Sequence, residues 1–431
     1  MKTENGKLKK YKLGEICDLN LSSLKSSDRI DEILYLDTSN ITENRIADLQ
    51  SFSIANAPSR AQRKVRNNTI IFSTVRPNQN HFGIIKNPQS NLIVSSGFTT
   101  LDIKNPEDFD ANYVYLKLTQ PYVVNYLHTL AQNSVSAYPS INPDDIGNLS
   151  FYFPPLESQQ KIAAVLSALD EKIALNRRMN AKLEQMAKRL YDHWFVQFDF
   201  PNADGKPYKA SGGKMVWNET LKREIPAGWE VKKLGELFTT NRGVSYSTKT
   251  ITGDTGIPMI NLASFSPDGS YKIDGIKLYT GDYTQEKVLK PFDLVMCNTQ
   301  QTAIDFSKDI IGKALLVPDI FEGDITSSHH VNTLKVHNEK LKFYLYRLFN
   351  TDYFHAYISH FASGTNIMGL DFAGVENYTA AIPSEEVLSK FADFTLDIEK
   401  KKSEIIRENK KLIALRNRLL PLLMNGQVEV E

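Results

Sequence analysis

At 431 residues, 41% of them apolar and 23% charged, the chain is long enough for two or three domains and has the composition of an ordinary soluble protein. Its two cysteines, Cys17 and Cys297, are too few for a disulfide framework or a cysteine zinc site and read as buried thiols of a reducing compartment. A formal net charge of +1 excludes no class of partner, since placement of charge decides, while the lysine-rich start and the lack of a long apolar run predict a cytoplasmic protein without a signal peptide or membrane span.

Residues 1–155 are expected to form one mixed α+β domain. It opens on a short strand-like start, Tyr11-Lys12-Leu13-Gly14-Glu15-Ile16. From Leu49 to Leu101 there is no Asp or Glu, yet Arg60, Arg63, Lys64, Arg66, Arg76 and Lys86 all fall inside. Such a stretch suits a phosphate-facing surface, with Arg60, Arg63, Lys64 and Arg66 as the phosphate contacts; a solvated basic face is the alternative. The β-rich run Thr69-Ile70-Ile71-Phe72 leads into a polar turn carrying Arg76, Asn78, Gln79, Asn80 and His81. Arginine pairs bidentately with guanine and Asn or Gln with adenine, so these five are candidate base readers, against ordinary loop hydration. Ala111 to Leu118 reads as a helix, followed by a polar turn containing Asn133-Ser134.

Residues 156–199 form a predicted spacer helix. Ile162, Leu166, Leu169, Ile173, Asn176, Asn180, Leu183, Ala187, Leu190 and Trp194 follow alternating steps of four and three, the seam of a coiled coil about 50 Å long. Residues 200–227, rich in Pro and Gly, read as a linker, partly ordered by Trp217 and Trp229. A second domain is expected over 228–383. It repeats Lys-Leu-Gly-Glu at its start, has Arg242, Tyr246 and Lys249 on an acid-free loop, and has Asn298, Gln300 and Gln301 on a turn after the strand-like Asp293-Leu294-Val295-Met296. Lys342 to Phe349 reads as a helix, with a polar turn at Gly364-Thr365. Residues 384–424 form a second spacer helix with Phe391, Thr395, Ile398, Lys402, Ile405, Asn409, Leu412, Arg416, Leu419 and Leu423 on its seam, and 425–431 are a tail.

The halves are copies. Pro154, Glu157, Lys172, Arg178, Asn180, Lys182, Leu183, Arg189 and Leu190 recur ungapped, 229 residues on, as Pro383, Glu386, Lys401, Arg407, Asn409, Lys411, Leu412, Arg418 and Leu419. Near Ile70 and Leu294 the offset is 224, so the domains differ by loop insertions. A pseudo-two-fold relating such halves makes the helices antiparallel and inverts one domain against the other, matching the local symmetry of duplex DNA. Asn180 and Asn409, equivalent on the two seams, are expected to form a buried pair that fixes register.

Catalytic signatures are missing from the sequence. Ser211-Gly212-Gly213-Lys214 lacks the upstream Gly of a phosphate-binding loop, and no glycine fingerprint for a nucleotide occurs. His329, His330, His337, His355 and His360 lack metal-ligand spacing, and no metal is assigned. Asn142-Pro143-Asp144-Asp145 begins like the Asn-Pro-Pro-aromatic motif of adenine methyltransferases, lacks its second Pro and aromatic, and reads as a helix N-terminus. The pairs Asp144/Asp145 and Asp319/Glu322 have no Lys at nuclease spacing. No catalytic residue is assigned.

Phe153-Pro154-Pro155-Leu156-Glu157-Ser158-Gln159-Gln160-Lys161-Ile162-Ala163, Leu169-Asp170-Glu171-Lys172-Ile173, Trp194-Phe195-Val196-Gln197-Phe198-Asp199 and Leu419-Leu420-Pro421-Leu422-Leu423-Met424-Asn425-Gly426 resemble the conserved regions of the specificity subunit of Type I restriction-modification systems. The resemblance covers the whole chain in order. It implies two target recognition domains, each reading half of a bipartite double-stranded DNA site, and two antiparallel helices that set the spacing and dock methyltransferase subunits, two of them. It implies that chemistry belongs to partners: adenine N6 methylation from S-adenosylmethionine in the methyltransferase, ATP- and Mg-dependent translocation and cleavage in restriction subunits. The second helix entry, Ile382-Pro383-Ser384-Glu385-Glu386-Val387, departs by losing the second Pro and the Gln pair, which leaves open whether the two methyltransferase contacts are symmetrical. The alternatives are a single-chain DNA methyltransferase or nuclease, which needs the missing motifs, and a coiled-coil adaptor without a nucleic-acid target.

Overall fold

A computed structural model describes residues 8–25, 27–133, 138–253, 255–301 and 309–430. The chain divides into two compact units, Met1–Lys172 with Leu412–Glu431, and Ile173–Lys411. The division runs inside both long helices rather than at their starts, because each helix packs into both units.

In the first unit Lys9–Lys12 pairs antiparallel with Ser150–Phe153, which leads into the first long helix. One four-stranded sheet has the order Cys17–Leu19, Phe98–Ile103, Ile70–Ser73, Phe82–Ile84. A second has the order Gln50–Ser53, Glu32–Leu36, Leu92–Ser95, Ala61–Lys64, with a parallel pair at its centre. Ile70–Ser73 is buried on both faces, and side-chain alternation sorts it: Ile70 and Phe72 join the core containing Phe82 and Val114, whereas Ile71 joins the one containing Ile41 and Val94. Helices Ala111–Leu118 and Pro121–Gln132 cover the first core, the former started by Asp110, whose side chain accepts from the Tyr113 amide at 2.8 Å. The helix N-terminus read at Asn142 is present: Pro143–Gly147 is helical, and the Asn142 amide donates to the Asp145 carboxylate at 2.7 Å.

The second unit repeats this plan. Glu230–Lys233 pairs with Thr379–Ile382, and one sheet runs Phe238–Arg242, Val331–Val336, Leu294–Cys297, Ala314–Leu316. The other runs Ile251–Thr252, Lys277–Tyr279, Ile257–Ile260, Thr326–Ser327 and again holds one parallel pair. The edges differ. The first unit adds Ala61–Lys64 beside its parallel pair, whereas the second adds Ile251–Thr252 at the opposite edge. Equivalent strands are 221 residues apart at the start (Lys9, Glu230), 224 at Ile70 and Leu294, 232 at Phe82 and Ala314, and 229 at Ser150 and Thr379. The insertions therefore fall in connections, chiefly after Leu294–Cys297.

The turn expected at Asn298 to Gln301 is instead a strand. Thr299–Gln301 pairs with Ile367–Leu370, which pairs with Ala362–Ser363. In the first unit the described residues show a bridge at the matching place, Val75 to Ser140. Ser134, in the turn that matches Gly364-Thr365, lies outside the described residues.

The expected linker is built into the second unit rather than strung beside it. Met215–Asn218 and Arg223–Pro226 form a hairpin, and the Phe200 ring stacks on both Tyr208 (4.6 Å between centroids) and Trp229 (5.4 Å). Trp229 orders the segment, whereas Trp217 is 57% exposed.

The long helices are Leu156–Tyr191, prolonged by a π turn over Asp192–Val196, and Glu385–Met424. The wider π turn buries two consecutive aromatic residues, Trp194 and Phe195, both against Phe391. Each predicted seam residue is buried or half-buried. In the second unit Asn176 faces Asn409, Glu184 faces Lys402 and Trp194 faces Phe391, so the helices run antiparallel. In the first unit Arg416 pairs with Asp170 at 2.6 Å, with the same sense.

This register corrects the expected Asn180–Asn409 pair. Facing positions have a constant sum near 585, whereas repeat-equivalent positions have a constant difference of 229, so Asn409 meets Asn176. Asn176 donates to Asn409 at 3.0 Å and to Glu408 at 2.8 Å, and Asn180 is half-buried on the same seam.

The Gln pair missing from the second helix entry also finds a structural reason. Gln159 is 1% exposed; it donates to the Asp108 and Pro154 carbonyls and accepts from the Asp110 amide. Its equivalent, Leu388, is buried in the aromatic core of the second unit. At this position the asymmetry reflects internal packing.

Candidate nucleic-acid interface

In the first unit the expected phosphate contacts lie on or beside the edge strand Ala61–Lys64. Arg60 is exposed and has no ion-pair partner among the described residues. Arg63 is half-buried and donates to Ser23 Oγ at 3.2 Å. Lys64 is bound to Asp28 at 3.0 Å, a pairing that, after a backbone hydrogen bond from Lys25, holds the Asp28 carboxyl below the usual range. Arg66 reaches the buried Asp102 through Nε at 2.9 Å while remaining 58% exposed. The stretch is acid-free in sequence but not in space, because Asp28 and Asp102 flank it from outside. Arg60 remains available to an anion, whereas Lys64 and Arg66 are each already paired with a carboxylate, Arg66 with its side chain still largely exposed.

Arg76, Asn78, Gln79, Asn80 and His81 do gather on one loop, around a short 3-10 turn Pro77–Gln79. Arg76 (φ 48°) and Asn80 (φ 57°) hold left-handed backbone at its two ends, as do Glu43 (φ 47°) and Asn44 (φ 63°) in the adjoining hairpin turn. Four such non-glycine residues at one place are held against a cost of about 1–3 kcal/mol each, a pattern of binding loops. The Glu43 amide donates to the Asn80 carbonyl at 2.8 Å, and His81 Nδ1 lies 2.6 Å from the Ile41 carbonyl, fixing the loop to the hairpin. Asn80 also donates to Glu43 at 3.2 Å, and Gln79 contacts His81 Nε2 at 3.2 Å. Asn78 and Gln79 are exposed. Tyr138, 60% exposed, lies under the Arg76 guanidinium at 5.3 Å and was not anticipated; 62 residues separate the two, and no sequence signal links them. Arg45 joins the same hairpin, paired with Glu43 at 3.2 Å.

In the second unit two expected readers are excluded by burial. Asn298 is 8% exposed and donates to Asn332 at 2.7 Å; Gln300 is 3% exposed and its carbonyl accepts from the Ile310 and Ile311 amides. Strand pairing turns both inward, where they hold neighbouring backbone. The Gln301 side chain lies outside the described residues.

Arg242 and Tyr246 instead gather with residues the sequence did not nominate. Arg242 Nε donates to the His329 carbonyl at 2.8 Å, the His329 and His330 rings lie 3.9 Å apart, and the Tyr246 ring is 5.3 Å from His329. Lys277 Nζ lies 5.7 Å above the Tyr246 ring. The backbone passes closely here: a Cβ on Gly243 would overlap the Ser327 and Ser328 carbonyl oxygens. Lys249 is exposed nearby in sequence without an ion-pair partner among the described residues. The His329-His330 doublet was visible in the sequence but was tested only against metal spacing. Among the described residues no three of His, Cys, Asp and Glu gather to hold a metal ion, and no helix is long and apolar enough to cross a membrane. Burial pushes both the Cys17 and Cys297 thiols up to about 12, as inert core groups.

The helix pair carries a further surface in the second unit. Leu183, Met186, Leu190, Phe394 and Ile398 line an apolar groove of about 720 Å³ edged by Arg189 and Lys401. Phe394 is 58% and Met186 51% exposed there.

Comparison with known proteins agrees with this architecture. The family model described as Type I restriction modification DNA specificity domain matches twice, over residues 5–185 and 226–413. The chain is 23% identical to the Type I restriction enzyme HindI specificity subunit of Haemophilus influenzae, covering 97% of this chain and 99% of that one. It is 26% identical to the MjaIX specificity subunit of Methanocaldococcus jannaschii, over 84% and 78%. Its fold is similar to the crystal structure of the Type I restriction-modification S subunit from M. genitalium, at 14% identity, a TM-score of 0.58 and coverage of 98% and 97%. Two matched copies of one specificity domain, each with its sheets and long helix, make this chain a member of the Type I restriction-modification DNA specificity family.

Proposed function

We propose that this chain binds a double-stranded DNA site in two parts, one per unit, and holds methyltransferase and restriction subunits on that site without supplying a catalytic group. The observation that carries this reading is a shared scaffold with divergent loops. Both units share the strand order of one four-stranded sheet and hold one parallel pair in the other, yet their polar surface residues stand on different connections: Arg76 to His81 beside the Glu43-Asn44 turn in one, Arg242, Tyr246 and the histidine doublet in the other. Two different surfaces on one scaffold suit two half-sites of different sequence.

The groove on the helix pair supports methyltransferase docking. The exposed Arg189 and Lys401 at its edge recur as Arg418 and Lys172, identities that helix packing does not require, while Leu183 and Leu190 recur as the seam residues Leu412 and Leu419. Such repetition suits two copies of one partner. S-adenosylmethionine, ATP and Mg are assigned to the partner subunits. Mixing the chain with its methyltransferase subunit, tritiated S-adenosylmethionine and DNA tests the reading: methyl transfer should require both proteins and both half-sites. Transfer by either protein alone, or to DNA carrying one half-site, would refute it.

A further inference from the structure

Resting on the reading of the second unit as a DNA reader, we propose that Arg242, Lys277 and the His329-His330 doublet form a seat for one DNA backbone phosphate, and that the seat takes up a proton from solvent when DNA binds. Four cationic or ionisable nitrogen groups converge here from three places in the fold: Arg242 ends the strand Phe238–Arg242, Lys277 begins the strand Lys277–Tyr279, and the doublet forms the turn between Thr326–Ser327 and Val331–Val336. Lys287 adds to them, its ammonium donating to the Gly243 carbonyl at 3.2 Å.

Among the described residues the cluster has no ion-paired carboxylate. Burial first, then His329, Arg242 and Lys277 all act to hold His330 below the usual histidine value, and no carboxylate acts against them. Arg242 binds the His329 carbonyl through Nε alone, and its two terminal nitrogens have no partner among the described residues. His330 Nδ1 lies 2.7 Å from Thr299 Oγ1, which leaves Nε2 to a ligand. His329 Nδ1 is buried without a hydrogen-bond partner. Tyr246 packs against both imidazoles and under the Lys277 ammonium, filling the space behind the seat. An uncompensated cluster of this kind fits an anion, and a phosphate diester is the anion that DNA presents.

The sign of the pH effect follows. In the free protein burial and then the surrounding cations hold His330 below the usual histidine value; a phosphate reverses the local field and raises that value. Affinity should therefore rise as pH falls through the DNA-bound value and level off below the free value, by at most about tenfold per pH unit for one proton. The effect belongs to one half-site, because the matching turn of the first unit, between Leu92–Ser95 and Phe98–Ile103, is Ser96-Gly97.

The test uses the full chain with its methyltransferase subunit and two duplexes, the methylated motif of the host and the same duplex with both half-sites scrambled. Dissociation constants are measured from pH 6 to 8 and across salt. The complex should bind the motif more tightly as pH falls, the double variant His329→Gln/His330→Gln should lose that dependence, and Lys277→Gln should lower the slope of log K against log salt by about 0.9. Variants that keep the wild-type pH profile and salt slope overturn the seat. If the double variant does not fold, Lys277→Gln, on an exposed strand position, carries the salt test. A wild-type complex that shows no preference for the motif over scrambled DNA overturns the bipartite reading instead, a result distinct from variants that match a competent wild type.

Discussion

The second unit closes around a buried ionic cluster whose arithmetic gives a sharp prediction. Arg347, 4% exposed on the helix Leu341–Phe349, donates to Glu399 at 2.8 Å and to Glu184, and Lys402 lies 2.6 Å from Glu184 and 2.9 Å from Glu399. Two cations face two carboxylates at the contact of both long helices with the recognition fold. Burial alone would raise the Glu184 carboxyl, but Arg347 and Lys402 outweigh it and push it down to about 2. Arg347→Met leaves two buried carboxylates to one ammonium and should destabilise the unit by about 3–5 kcal/mol. Arg347→Met with Glu184→Met leaves the neutral Lys402–Glu399 pair and should fall within about 1 kcal/mol of wild type. Urea unfolding followed by tryptophan fluorescence isolates the effect, since Trp194, Trp217 and Trp229 all belong to this unit. Because the folded carboxyl titrates below its ordinary value, the stability it confers is present above about pH 4.5 and lost as pH falls towards 2. The acid loss should be smaller in Arg347→Met. Single variants that cost under about 1 kcal/mol, or a double variant whose cost is the sum of the singles, would refute the account.

In the first unit Lys117, on the helix Ala111–Leu118, donates to the Met424 carbonyl at 2.6 Å near the end of the second long helix. Burial pushes its ammonium down to about 8, so the unfolded chain holds that proton more tightly and stability should rise between about pH 8 and 10.5. Hydrogen exchange of Pro121–Gln132 amides should show that rise, and Lys117→Met should abolish it. Among the phosphate candidates, Arg60→Gln should flatten the salt dependence of DNA affinity, whereas Lys64→Gln and Arg66→Gln, removing charges already bound to Asp28 and Asp102, should change it little. Equal effects from both sets would contradict the assignment.

Much of the architecture was legible because its signals are local. The seam from Ile162 to Trp194 obeys helical spacing, and the offset of 229 survives there because an insertion in a packed helix would break the seam. Equivalence, however, is not adjacency: the repeat made Asn180 the counterpart of Asn409, and antiparallel packing made Asn176 its neighbour. Long-range pairing was the other blind spot. Nothing around Lys64 or Arg66 announces Asp28 and Asp102, and nothing in Asn298-Thr299-Gln300-Gln301 announces the partner strand Ile367–Leu370 that turns Gln300 inward. The Arg76 loop was found because polar turn residues follow a β-rich run. Tyr138 and Lys277 were missed because the fold brings them there from distant segments.

The central claim, one chain reading two half-sites, is tested most directly by sequencing the methylome of the host with and without this gene. The account predicts a motif of two defined parts separated by a fixed run of undefined bases, carrying N6-methyladenine in each part and vanishing on deletion. A motif that persists in the deletion strain, or one that is lost but continuous, would contradict it.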